Sequence, residues 1–417
     1  MNNLYSSNGT FFLVSDEPTT LPAVGKLTSR ILPEGSPLNF LVPPTEDDIK
    51  VISAADAAAR WHTVTALDGT TIIITDSHNF LGHFFHWCAE ELFGIWLMLV
   101  GHFAPGLSDP NAILPRNFAQ RMILTRIDNA FWMGSHHFNP FYVFTAFPAI
   151  SVEDRDQWAQ RTFITRDGKS AYRFEQVLLT DRAASIRSRP PVTEMIASGA
   201  LAAVEKDVVR GVWWEPYRRT ILRAAGAQIL NDLPQKGHLI TYISRQKRGR
   251  RCLKADDNDA LVKVLEDLTA KRGWEFKIVT AEDLTMEEQV RITARSSVIL
   301  GVHGNGLSHL LHQPPNAIVI EILYPDGYIN CYGWTAHVRG LKYFAIHNNT
   351  AATYPLPQPE YRFYINPKDV KGDGGFHGPN IPIDAPMIGL LIEKQLDGRL
   401  QCNSDGHCLG PQRVFPA

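Results

Sequence analysis

Long apolar runs are the first thing this chain lacks. Its most apolar stretch, "LFGIWLMLV" at 92–100, falls far short of the roughly 20 residues a membrane-spanning helix needs, and reads as a core helix. The N-terminal "MNNLYSSNGTFFLVSDEPTT" has no basic segment followed by an apolar one, so neither signal peptide nor anchor is read there. Charge of one sign is missing too. Lys+Arg 41 against Asp+Glu 43 leaves a net charge of -2, with no overall basic field to draw nucleic acid or an anionic membrane. Any anion site must therefore be local. Cysteine is scarce: Cys88, Cys252, Cys331, Cys402 and Cys408 are too scattered for a disulfide scaffold and include no paired CxxC zinc pattern. Cys402 and Cys408 can pair in the tail, which would fit an oxidising compartment. Triplets at Asn8 (NGT) and Asn348 (NNT) permit N-glycosylation if the chain enters the secretory route.

What is present suggests two α/β domains. A chain of 417 residues with 44% hydrophobic content can bury more than one core. Residues 1–45, with Pro22, Pro33, Pro37, Pro43 and Pro44, read as an extended lead-in. Over 46–232, "TIIIT" (71–75), "RMILT" and "EQVLLTD" read as buried strands. Helices are expected over "HWCAEELFGIWLMLVGHF" and over "EKDVVRGVWWEPYRRTILRAAGAQ", the latter closed by Gly226. The polar "NDLPQKG" at 231–237 reads as a linker. Over 238–350, strands "HLITYIS", "EFKIV", "SVILGV" and "AIVIEI" alternate with helices, the pattern of a parallel, Rossmann-like sheet. Residues 351–417 form a Pro/Gly-rich tail that either packs back on the first domain or extends loosely.

One stretch asks for a ligand. In "ILGVHGNGLSHLLHQPPNAIVIEI" (299–322), the HGNGL segment falls between a strand and an expected helix beginning near Asn305. Unpaired N–H groups at a helix start favour an anion, and glycine lets a ligand approach the main chain. A plain tight turn is the alternative, because the spacing fits neither a Walker loop nor GxGxxG. Upstream, "YISRQKRGRR" closes another strand with Ser244 and Arg245 and adds Lys247, Arg248, Arg250 and Arg251. In a parallel sheet Arg245 ends on the same edge as HGNGL, where its guanidinium can bind phosphate bidentately. A solvated loop is the simpler reading for Lys247, Arg248 and Arg250. Glu321 closes the following strand, as an acceptor for a ribose hydroxyl pair or as a partner for an arginine.

The first domain holds a second constellation, "DSHNFLGHFFHWCAEEL" at 76–92. His86 and Glu90, four apart on one helical face, suit a general base and its orienting partner. His78, His83, His86 and Glu90 are the alternative metal set of a hydrolase, though the spacing matches no HExxH pattern. Trp87, Trp213, Trp214 and Trp334 either floor a substrate groove or fill the core.

Taken together, "YISR" with its following arginines, "GVHGNGLSHLLHQPPNAIVIEI" and "GHFFHWCAEEL" resemble glycosyltransferase family 61, over roughly residues 70 to 350. The resemblance implies a GT-B fold, two Rossmann-like domains facing a cleft. It also implies transfer with inversion from a UDP-sugar (GlcNAc, xylose or arabinose) to a hydroxyl of a glycan or glycoprotein, with no obligatory metal or other cofactor, in the Golgi or ER lumen. By position it assigns Ser244, Arg245, Arg251, His303, Gly304, Asn305, Gly306, Leu307 and Glu321 to the donor, and Glu90, with His86 second, to catalysis. Asn305 stands where the family usually has Ala, which puts a polar side chain near the nucleotide. A nucleotide-sugar binder without a working base is the alternative reading.

Overall fold

The computed structural model describes residues 1–21, 24, 27–28, 44–76, 81–103, 119–134, 137–181, 212–325, 332–353, 377–404 and 406–411. The chain divides into two units, Met1–Val209 and Arg210–Ala417. Strands of the first are β1 (Asn2–Ser7), β2 (Thr10–Val14), β3 (Ile49–Ile52), β4 (Thr63–Ile74), β5 (Arg121–Leu124), β6 (Ser151–Glu153) and β7 (Ser170–Thr180). They lie in the order β3-β2-β1-β7-β4-β5-β6. The β-branched run at 71–75 closes the interior strand β4, where Ile72, Ile73 and Ile74 are fully buried. β4 is parallel to both β5 and β7.

The lead-in differs from expectation. Residues 2–14 form a hairpin that turns at Asn8 and Gly9, with φ of 50° and 80°, as an Asn-Gly pair favours. β1 then pairs antiparallel with β7, and Leu4, Phe11 and Leu13 join a core with Ile73 and Phe174. The apolar pattern of that hairpin drives its burial, while Pro22, Pro33, Pro37 and Pro43 of the expected lead-in lie outside the described residues. After β4, the expected helix opens as a π-helical turn, Phe85–Glu91, and continues as an α-helix, Leu92–Phe103. Its Leu92, Ile95 and Leu99 are wholly buried. No helix among the described residues is long and apolar enough to cross a membrane.

The second unit carries β8 (Leu239–Ile243), β9 (Glu275–Val279), β10 (Ser296–Val302), β11 (Ile318–Leu323), β12 (Lys342–His347), β13 (Thr350–Thr353) and β14 (His407–Leu409). Their order is β14-β13-β12-β11-β10-β8-β9. The run from β9 to β12 is parallel throughout, so its spatial order is second, first, third, fourth, fifth. That is a doubly-wound sheet whose order reverses between β8 and β10, and such reversals are where ligands bind, beyond the strand C-termini. Two of the connecting helices show clear end signals. Ala255–Arg272 ends on Gly273 at φ 64°, and Met286–Arg295 opens with a Thr285/Glu288 capping box.

The described residues of the tail are built into the second unit. β13 and β14 extend the second sheet in antiparallel fashion, and Ile388, Leu391 and Ile392 of the helix Ala385–Leu396 pack in its core with Leu261 and Leu265. A disulfide ties Cys402, ahead of β14, to Cys408 within it. The helix Glu215–Ala224 also belongs to this unit, since Trp213 Nε1 donates to Val338 O and Trp214 Nε1 to Leu311 O, each at 3.0 Å. The expected linker at 231–237 therefore falls inside the second unit.

Candidate active site

At the reversal point, β8 and β10 are direct neighbours, Gly301 opposite Ile243, so the segments leaving them emerge side by side. Glycine makes the contact close. A Cβ on Gly306 would stand 2.6 Å from Ile243 Cγ2, and one on Gly304 2.6 Å from Arg245 Nη1. Arg245 and the HGNGL loop are thus brought together as the parallel sheet required. The expected α-helix is instead a short 3-10 helix, Asn305–Leu311. Its poorly aligned turns offer less dipole than a long α-helix. Asn305 Oδ1 accepts from Ser308 Oγ at 3.3 Å. Leu307 N donates to Gly304 O at 2.9 Å, and the Leu307 side chain is in the core, 1% exposed. Ser244 Oγ accepts from Gln246 N at 3.4 Å and so shapes the turn after β8.

The positive charge of the site comes from side chains. Lys247 pairs with Asp283 at 2.5 Å and Arg248 pairs with Glu282, so those two belong to a neutralised loop. Arg245 and Arg251 make no ion pair or hydrogen bond with any described side chain, and the Nε of each is buried and unpaired. Burial, then the charges of Arg251 and Arg248, lowers the Arg245 pKa to about 10. Burial likewise pulls Arg251 below its ordinary value. Two desolvated guanidiniums pressing on each other are relieved by an anion, and Tyr332 borders both.

His303 faces the same region and meets the Tyr332 ring edge-on at 5.4 Å. Its Nδ1 lies 2.5 Å from Glu321 Oε1, and Tyr343 OH donates to Glu321 Oε2 at 2.5 Å. Glu321 is 0% exposed while the His303 side chain keeps 12%. The carboxylate is therefore not displayed to a ribose hydroxyl pair but orients His303 from behind. Tyr343, which no motif in the sequence marked, completes this relay from β12.

Behind the loop lies a buried ionic clamp. Arg218 Nε donates to Glu215 Oε1 at 2.8 Å and its Nη1 to His312 O at 3.2 Å, while Arg339 Nη2 donates to Gln313 O at 3.0 Å. These bonds pin the far end of the 3-10 helix, and they explain why Trp213 and Trp214, 0% exposed, are core residues and not a groove floor. Trp87 is also wholly buried.

In the first unit, His86 Nδ1 sits 2.6 Å from Glu90 Oε2, with the His86 side chain 22% exposed and Glu90 4%. Four residues apart, about one turn of the π helix, the two side chains share a face. Glu90 is the inner member and His86 the outer. The turn before them is anchored by Asn139, whose Nδ2 donates to Leu81 O at 2.8 Å and Trp132 O at 2.6 Å. His83 is exposed, its ring 5.1 Å from that of His86. Asp76 is buried just beyond β4. His78, part of the alternative metal set, lies outside the described residues, and among those described no three His, Cys, Asp or Glu side chains converge as a metal set.

The family model described as Glycosyltransferase 61 matches residues 82–320, a span that contains the π turn, the arginine loop and HGNGL with His303, and that stops one residue short of Glu321. Among similar proteins, the EGF domain-specific O-linked N-acetylglucosamine transferase of Drosophila melanogaster is 36% identical over 116 residues, 28% of this chain and 21% of its own. That of Gallus gallus is 33% identical over 131 residues, 30% of this chain and 23% of its own. A beta-1,2-xylosyltransferase of Arabidopsis thaliana is 36% identical over 64 residues, 15% of this chain and 12% of its own. The matches thus span less than a quarter of each relative. With more than half of its length matched by one family model, the chain belongs to the glycosyltransferase 61 family.

Proposed function

We propose that the protein is an inverting glycosyltransferase that moves a sugar from a UDP-sugar to a hydroxyl of a glycan or glycoprotein. The observation that carries this reading is the pair of buried guanidiniums, Arg245 and Arg251, without an acidic partner among the described residues, beside Gly304 at the reversal point of a doubly-wound sheet. Such a place suits a diphosphate. Family membership supports the reaction class, and the two α/β units support a GT-B arrangement. The Cys402–Cys408 disulfide fits a secretory compartment such as the Golgi.

In the transfer step, a base takes the proton of the acceptor hydroxyl, its oxygen bonds to the anomeric carbon, and UDP leaves with the electrons of the broken C–O bond. His86 is the better base because it is the exposed member of the pair, with Glu90 orienting it. This reverses the order in which the sequence ranked them. Arg245 and Arg251 stabilise the charge that grows on the diphosphate. No step assigned here needs a metal. UDP titration by calorimetry, followed by UDP release from UDP-GlcNAc, UDP-xylose and UDP-arabinose, tests the proposal. Binding without release in the presence of acceptors would reduce the protein to a nucleotide-sugar binder. No UDP binding would sink both readings.

A further inference from the structure

Arg245 and Arg251 stand near the two ends of one short loop, and the side chain of Gln246 closes it. Gln246 Nε2 donates to Leu253 O at 3.2 Å, while Leu253 N donates to Gln246 Oε1 at 2.9 Å. A side-chain amide is thus paired, in both directions, with the backbone seven residues further on. Both ends of that pair are fixed. Gln246 N donates to Ser244 Oγ at 3.4 Å, just after β8. Leu253, 2% exposed, belongs to the core of the second unit and bridges Ile381 in parallel. Around it, Ile381 N donates to Cys252 O at 3.0 Å and Lys254 N to Ile381 O at 3.1 Å. Between the ends the chain passes through left-handed backbone at Gly249, φ 66°, and at Arg251, φ 49°. The second is uncommon for a long side chain, and Arg251 N is held by Gly378 O at 2.9 Å. Lys247 and Arg248, in the middle of the loop, pair with Asp283 and Glu282.

We propose that Gln246 is a positioning residue for the donor: by tying Leu253 back to the end of β8, it holds Arg245 and Arg251 ready for one diphosphate before any ligand arrives. This rests on the donor reading above, in which Gln246 itself does not touch the ligand. The two guanidiniums repel each other, so in an untied loop they drift apart and the ligand must gather them again. Ordering a loop on binding lowers affinity, and a loop ordered beforehand escapes that loss. Glutamine suits the task because its amide both donates and accepts. Asparagine, one methylene shorter, does not span the gap.

Calorimetry with UDP on Gln246→Met tests this, because methionine keeps the length and bulk of the side chain and makes neither bond. Its affinity should fall roughly tenfold, with the melting temperature little changed. Gln246→Asn should lose affinity alike, which separates the lost bonds from the lost polarity. Beside Arg251→Ala the Gln246→Met change should cost only about threefold, since one of the two groups it positions is gone. A change that merely weakened the fold would cost the full factor in both backgrounds. Hydrogen exchange at Leu253 N should be faster in free Gln246→Met than in the unaltered chain, and UDP should slow it again. Unchanged affinity in both variants, or an undiminished tenfold loss beside Arg251→Ala, overturns this proposal and leaves the donor reading standing. Failure of the unaltered chain to bind UDP overturns both.

Discussion

Arg245 lies directly over Gly304, its Nη1 2.6 Å from where a Cβ on that glycine would stand. Gly304→Ala must therefore push the guanidinium aside, and it also strains a backbone at φ 156°. We expect UDP affinity to fall by roughly tenfold to a hundredfold, since one charge-assisted contact is displaced, with the melting temperature little changed. Calorimetry and a thermal melt check this. Unchanged affinity would mean that the guanidinium does not contact the ligand.

Two arginines of one loop should behave differently. Arg245→Ala should cut turnover on the order of a hundredfold with the fold retained, as loss of preorganised charge at a leaving group does. Arg248, already paired with Glu282, should tolerate the same change with less than about a twofold effect, since exposed pairs contribute little. Equal losses would assign the effect to the general field of the loop.

For the first unit we expect His86→Ala to lower turnover by on the order of a thousandfold, within the range of general-base catalysis. Glu90→Gln should cost about tenfold, because Glu90 holds the imidazole and does not itself meet the acceptor. A Glu90→Gln enzyme as dead as His86→Ala would restore the carboxylate as base. If both retain activity, Asp76→Asn is the next variant to assay.

Acid should loosen the second unit. His309 is fully buried against Gln289, and burial lowers its pKa from 6.5 to about 4. His312 is likewise held well below its ordinary value, by burial and then by His309, Arg339 and Arg218. In the unfolded chain these rings take a proton near 6.5, while the folded chain refuses it until about 4, so stability falls as pH drops through that window. His309 alone accounts for about 3 kcal/mol. Melts at pH values from 7 to 4 should show a fall of at least roughly 6 °C, reduced in His309→Gln. A flat profile would remove this account.

Local pattern made the second unit legible. Alternating strands and capped helices were visible because each apolar run is bounded by its own punctuation, such as Thr285 before one helix and Gly273 after another. The closeness of Arg245 to HGNGL followed from parallel topology alone. Three things were hidden. Which of the five basic side chains in the loop pair with an acid depends on Asp283 and Glu282, about 35 residues away along the chain. The pairing of Glu321 with Tyr343 was out of reach because Tyr343 comes from a strand with no motif. The hairpin at 2–14 needs β7 to bury it, a partner no local pattern reveals.

The clamp of Glu215, Arg218 and Arg339 bears on how this protein can be dissected. A fragment beginning at the polar stretch near 231 would leave Arg339 without its carboxylate and Val338 and Leu311 without their indole donors. Any autonomous nucleotide-binding piece must therefore include Trp213, and a cut made at the apparent sequence boundary would yield an unstable product.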